Sequence, residues 1–210
     1  MTAAADEAPD EPDRAPGGPL AIAVLASGEG TNLQALLDTV HGREARIVAV
    51  ASDRSDAPAL RRAREAGVPT ATFVRAQFPD RAARDEAMAG WLADQGARAV
   101  VLAGYMALLS PGFLARFPAG VLNVHPSLLP AFPGLRAVEQ AVEHGVKVFG
   151  VTVHFVDEGI DTGPIVAQRA VEPRDPSDSA AVLAALRPLE HALLPQAVRL
   201  LASGALRPPQ

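Results

Sequence analysis

The sequence predicts an α/β protein, a mostly parallel twisted sheet with helices on both faces. Three observations lead there. Short apolar runs alternate with longer amphipathic stretches from Leu20 to about Pro118, the rhythm of repeated β-α units. A glycine-bearing turn, "SGEGTN", joins the first apolar run to the first amphipathic one. Apolar residues make up 49% of 210 positions, enough for a sizeable core.

The elements follow in order. "LAIAVL", Leu20–Leu25, reads as a buried strand, and "TNLQALLDTVHG" as a helix ending at Gly42. "ARIVAVAS" is a second strand, "APALRRAREAG" a helix and "PTATFV" a short third strand. "DRAARDEAMAGWLADQG" is a helix, with Ala87, Trp91 and Leu92 at helical spacing. "ARAVVLAG" is a fourth strand, "SPGFLARFP" a short helix and "GVLNVH" a fifth strand. The last third changes character: "VKVFGVTVHFVDEG" and "GPIVAQRAVEP" are strand-like, β-branched and joined by a short loop, which suits an antiparallel pair or a twisted ribbon. Ser177 to Leu201 reads as one long helix that Pro188 should kink or split. The whole is Rossmann-like, with longer strands in its C-terminal half. It divides into a nucleotide-fold half over about 19–120 and a half carrying the chemistry over about 121–210, within a single domain 19–210.

Residues 1–18 are acidic and Pro-rich and read as a disordered tail. They lack a basic start and an apolar stretch, so they do not read as a secretory signal. No apolar run approaches a membrane span. A cytoplasmic enzyme is the expectation. Five acids and one arginine in this tail carry −4 of the formal −5, leaving −1 for the rest. That balance offers no bulk attraction for nucleic acid. The absence of cysteine excludes thiolate metal sites and a Cys nucleophile. Lys147 is the only lysine, so a Schiff base would have to use it.

In "SGEGTN", Gly28 and Gly30 permit positive φ and close backbone approach, and the following helix start favours an anion. Thr31 or Asn32 can cap that helix or donate to the anion. The loop lacks the Gly-Lys-Ser/Thr of a P-loop, and Leu33 stands where a dinucleotide fingerprint would have its third glycine. On its own the loop fits a phosphate site and a plain βα turn equally well.

"NVHPSLLPAFPG" carries the sharper signal. Asn123 and His125 lie two apart on a strand and so share a face, at the strand's C-terminal end, where open α/β sheets bind ligands. Pro126, Pro130 and Pro133-Gly134 then impose a stiff, non-helical loop. An Asn amide and a His imidazolium together can form an oxyanion hole. Such an imidazolium needs a carboxylate, and Asp157, Glu158 and Asp161 are the candidates. Among the other histidines, His41 and His144 precede glycines at helix ends, His191 lies mid-helix, and His154 reads as a polar rim or core residue. A rival arrangement is a metal site of His125, His154 and Asp161.

Four stretches, "VLASGEGTNLQALLD", "VVLAGYMALLSP", "LNVHPSLLPAFPGL" and "GVTVHFVDEGIDTGPIVAQ", make the chain resemble the phosphoribosylglycinamide formyltransferase family over nearly its whole ordered length. "HPSLLP" alone is shared with methionyl-tRNA formyltransferase and formyltetrahydrofolate deformylase. The resemblance implies the formyltransferase fold and transfer of a formyl group from 10-formyltetrahydrofolate, as co-substrate, to the amine of phosphoribosylglycinamide in purine synthesis. It implies no metal. It names Asn123, His125 and Asp161 as the catalytic trio, Asp161 supporting His125 and proton transfer through water. It assigns Gly30, Thr31 and Asn32 to the substrate phosphate and Glu190 to the ribose. It assigns Arg81, the run Met106, Ala107, Leu108 and Leu109, and Asn123 to folate, and makes Leu129–Pro130 a candidate cis peptide. Ala107 departs from the arginine common in relatives, Arg136 from a histidine, and Arg187-Pro188 from a Gln-containing turn, which puts the position of Glu190 in question. Besides this reading stand a folate enzyme of the same fold acting on another amine or on water, and a metal-dependent hydrolase. A homodimer is compatible with the sequence, which does not reveal assembly.

Overall fold

A computed structural model describes residues 18–208. The expected tail, apart from Gly18, therefore lies outside the described residues. The chain runs β1 (Leu20–Leu25), α1 (Thr31–Thr39), β2 (Ala45–Ser52), α2 (Pro58–Glu65), β3 (Thr70–Thr72), α3 (Arg81–Asp94), β4 (Ala99–Leu102), α4 (Pro111–Ala115), β5 (Val121–His125), α5 (Ala137–His144), β6 (Phe149–Phe155), β7 (Ile165–Val171) and α6 (Ser179–Ser203). A single 3-10 turn, Arg75–Gln77, precedes α3.

One seven-stranded sheet is ordered β3-β2-β1-β4-β5-β6-β7. The first five strands are parallel, β6 runs antiparallel to β5, and β7 antiparallel to β6. The chain winds outward from β1 to β3 and then returns to β4. The loops after β1 and β4 therefore diverge from a switch point, where a crevice opens beyond the strand ends. Alternate residues of β1 feed the two core layers. Ile22 and Val24 pack with α1, α2, α5 and α6, and Ala23 and Leu25 with α3 and α4.

Three local expectations are corrected. Helix α1 stops at Thr39, before Gly42. The buried face of α3 is Arg84, Asp85, Met88, Ala89 and Leu92, while Ala87 is exposed. Two buried charges on that face hide its register from a hydrophobic pattern. Helix α6 is not split: it runs unbroken through Pro188 and Pro195. Pro188 lies on the exposed face, as does Ala184, the residue whose carbonyl it frees. Leu186, Leu193, Leu194 and Val198 hold the other face on the core.

Candidate active site

Asn123 and His125 project from β5 into a cavity of about 670 Å³. The antiparallel register sets His154 opposite Asn123 and Thr152 opposite His125, so directly paired positions bring four polar side chains together. His125 and His154 are both buried, with relative exposures of 5% and 1%. Asp161 comes from the β6–β7 loop and lies between them. One carboxylate oxygen is 3.3 Å from His125 Nδ1 and the other 3.4 Å from His154 Nε2. The first oxygen also accepts from the Gly134 N–H at 2.7 Å, and the second from the Asn123 amide at 3.3 Å. Asp157 instead binds the Gly159 N–H and the Thr162 hydroxyl within its own loop. Of the three candidate acids, Asp161 is the one that lies beside His125, while Glu158 is exposed.

The remaining nitrogens define the charge pattern. His154 Nδ1 donates to the Phe155 carbonyl at 2.8 Å, and its Nε2 lies 3.1 Å from the Asn123 amide nitrogen. His125 Nε2 donates to the Phe132 carbonyl at 2.9 Å while its Nδ1 faces Asp161. The ring of His125 is thus held at both ends, by the Phe132 carbonyl on Nε2 and beside the Asp161 carboxylate at Nδ1. Burial pushes the Asp161 carboxyl up. Hydrogen bonds from His154 and Gly134 and the charge of His125 outweigh that and bring it down to about 2.

The loops that meet here are strained. Phe132, Arg136 and Asp161 all have positive φ, at 52°, 60° and 55°. For a non-glycine residue that conformation costs energy and persists only where the surroundings impose it. At Phe132 it accompanies the carbonyl held on His125; at Asp161, the carboxylate held between the two rings. The Leu129–Pro130 peptide is cis.

The glycine loop lies at the C-terminal end of β1, beside the loop after β4. Ser27 joins them, its N–H donating to the Gly104 carbonyl and its hydroxyl accepting from the Met106 N–H. Gly30 is the N-cap of α1 with φ 72°, and a Cβ there would collide with Ala59. Neither Thr31 nor Asn32 caps the helix with its side chain, so capping is not the one of their two expected roles that is taken up. The first-turn N–H groups are therefore not occupied by a cap. The Asn32 amide donates to Glu190 of α6 at 2.9 Å, and its buried oxygen has no partner among the described residues. The proline at 188 has not carried Glu190 away from the glycine loop.

A sequence model of the formyl transferase family matches residues 20–198. The chain belongs to that family. It is 42% identical to the phosphoribosylglycinamide formyltransferase of Haemophilus influenzae over 89% of both chains. With the Mycobacterium tuberculosis enzyme of the same name it shares 46% identity over 90% of this chain and 87% of that one. It also matches, at 42% identity, a stretch making up 14% of the trifunctional purine biosynthetic protein adenosine-3 of Drosophila pseudoobscura pseudoobscura. Among solved structures, glycinamide ribonucleotide transformylase 1 of Symbiobacterium toebii superposes with a TM-score of 0.84 at 47% identity, over 89% of each chain.

Within this formyl transferase, Met106 and Leu108 expose 64% and 53% of their surface and face the cavity, whereas Ala107 and Leu109 also pack on the core layer of α3 and α4. Arg81 lies outside the main cavity. It lines a smaller one of about 370 Å³ with Asp53, Arg75 and Arg84, and the two cavities share Met106, Ala107 and Leu108 as a wall. At Arg136 the side chain is exposed, with Glu143 at 3.9 Å.

A metal reading finds no support in the geometry. Among the described residues no group of three or more His, Asp and Glu side chains is arranged to hold an ion. The nitrogens of His125 and His154 meet the Asp161 carboxylate itself rather than converging with it on a vacant point. Sequence reasoning gave no role to the Phe132 carbonyl or the Gly134 N–H, since backbone groups carry no residue-type signal. It kept His154 only in the metal alternative. The β5–β6 register that sets it against Asn123 could have promoted it, had the pairing been readable.

Proposed function

We propose that the chain transfers the formyl group of 10-formyltetrahydrofolate to the amine of phosphoribosylglycinamide, in the cytoplasm, as a step of purine synthesis. The observation that carries the site assignment is the Asn123–His125–Asp161 cluster facing a cavity beside an open, uncapped helix start. The amine nitrogen attacks the formyl carbon, and the carbonyl π pair moves onto oxygen. Asn123 and the His125 imidazolium stabilise that oxyanion. In the free protein their donors are held by Asp161, His154 and Phe132. The Nε2–H of His125, opposite the Asp161 contact and aimed by the Phe132 carbonyl, is shared with the substrate oxygen in a three-centre bond that tightens only in the reacting complex. The oxyanion collapses, the bond from carbon to N10 breaks, and the proton lost by the attacking amine balances the one gained at N10. With its carboxyl near 2, Asp161 is a weak base at neutral pH. Its larger part is to orient His125, with proton transfer routed past it rather than stored on it.

For the first substrate, the N–H groups of Gly30, Thr31 and Asn32 receive the phosphate, and Glu190, oriented by Asn32, receives the ribose hydroxyls. For the second, Met106 to Leu109 wall the pterin, and Arg81 takes an anionic group from the adjoining cavity. An initial-rate assay with 10-formyltetrahydrofolate tests the reading. Turnover should require phosphoribosylglycinamide and be unchanged by EDTA. Folate turnover without the amine would make the chain a deformylase, and loss of activity in EDTA would restore the metal reading.

A further inference from the structure

The face that carries His125 continues across two more strands. Thr152 on β6 lies opposite His125, and Gln168 on β7 lies opposite Thr152. Neither side chain reaches the reacting groups. Instead both turn to the loop that follows β5. The Thr152 hydroxyl donates to the Ser127 carbonyl at 2.7 Å and accepts from the Leu129 N–H at 3.1 Å. The Gln168 amide donates to that same hydroxyl and to the Leu129 carbonyl, both at 2.9 Å. Ser127 carries the connection onward, its hydroxyl donating to the Ala131 carbonyl at 2.6 Å. The next carbonyl, that of Phe132, is the one held on His125 Nε2. Gly150 makes room for the fold-back, since a Cβ there would collide with Leu128 and the Arg169 carbonyl.

We infer that Thr152 and Gln168 are positioning residues for the reaction: they clamp the 127–131 segment so that the Phe132 carbonyl meets the His125 ring. This rests on the reading of His125 as the oxyanion donor. Three facts favour it over simple packing. Thr152 is fully buried, yet its hydroxyl has three partners, two of them loop backbone atoms. Valine would fill the same volume in a β6 strand whose buried neighbours Val151 and Val153 are valines. The clamped segment ends at a residue with strained φ whose carbonyl meets the catalytic ring.

The test compares Thr152→Val, Thr152→Ser and Gln168→Met with His125→Ala and with Val151→Ala, a core change outside the clamp. kcat and KM for both substrates are measured together with the melting temperature. Thr152→Val should lower kcat about tenfold to hundredfold, the penalty of a small misplacement near reacting groups, with each KM within about twofold. Thr152→Ser should restore kcat to within about twofold of the parent, the hydroxyl being the group at issue. Gln168→Met, at a half-buried edge-strand site, should lower kcat in the same direction and carries the test if Thr152→Val does not fold. Loss of activity in His125→Ala with an unchanged kcat in Thr152→Val or Gln168→Met would overturn this inference alone. A Val151→Ala variant losing as much kcat for the same fall in melting temperature would also overturn it. Full activity in His125→Ala would overturn the underlying reading as well.

Discussion

With its carboxyl brought down to about 2, Asp161 is ionised throughout the ordinary working range and stands between two imidazole rings. The lowering has a sign that can be checked. A carboxyl whose folded value lies below its usual 3.8 contributes stability that is fully present above about pH 4 and fades as pH falls through about 2. The stability difference between the parent and Asp161→Asn should therefore be constant from pH 5 to 7 and shrink between about pH 4 and pH 2, followed by urea unfolding. A pH-independent difference would mean that the carboxylate gains nothing from its neighbours. Glu190 is tested separately. Its alanine variant should raise KM for phosphoribosylglycinamide about tenfold or more, the scale of one lost charged hydrogen bond, with KM for the folate unchanged. Equal increases in both would displace Glu190 from the ribose. At this scale the sequence told much about side chains. The i, i+2 spacing of Asn123 and His125 already placed both on one face. It told nothing of Phe132 or Gly134, which contribute backbone atoms whose direction depends on strained φ.

Helix α3 shows what an element adds. Its inner face carries the Arg84–Asp85 pair, the two side chains 4% and 0% exposed and 2.6 Å apart. Arg84 also donates to the Leu108 carbonyl, and Asp85 accepts from the Ser110 N–H, so the pair holds the C-terminal end of the segment that walls the cavity. Removing one partner strands the other without water. Asp85→Ala should cost about 3–5 kcal/mol of unfolding free energy and raise KM for the folate, whereas replacing both residues by apolar ones of similar volume should recover most of the stability. A loss below about 1 kcal/mol would show that Arg84 finds solvent, as surface pairs do. A hydrophobic pattern pointed to Ala87, Trp91 and Leu92 because it counts charges as outward, and here two of them face in. Helix α6 misled in the opposite way. Propensity argued for a break at Pro188, but packing on the core and the exposed position of that proline keep the helix whole.

On the scale of the molecule, the order of strands decides the function. Winding outward from β1 and returning to β4 sets the glycine loop beside the cavity wall, and the reversal at β6 sets His154 and Thr152 against β5. The alternation of apolar and amphipathic segments made the parallel half legible. The register of β5 on β6 was not, because nothing local in either strand fixes which residue faces which. The core layers close over residues 18–208, so deleting residues 1–17 should leave kcat and the melting temperature unchanged. A fall of more than about 4 °C, on the order of 1 kcal/mol for a chain of this size, would tie them to the fold. The account as a whole stands on His125. Its alanine variant, assayed for formyl transfer between 10-formyltetrahydrofolate and phosphoribosylglycinamide, should lose about 10²–10³ in kcat while its melting transition stays cooperative. A variant that transfers the formyl group at close to the parent rate would contradict the cluster as the seat of the reaction.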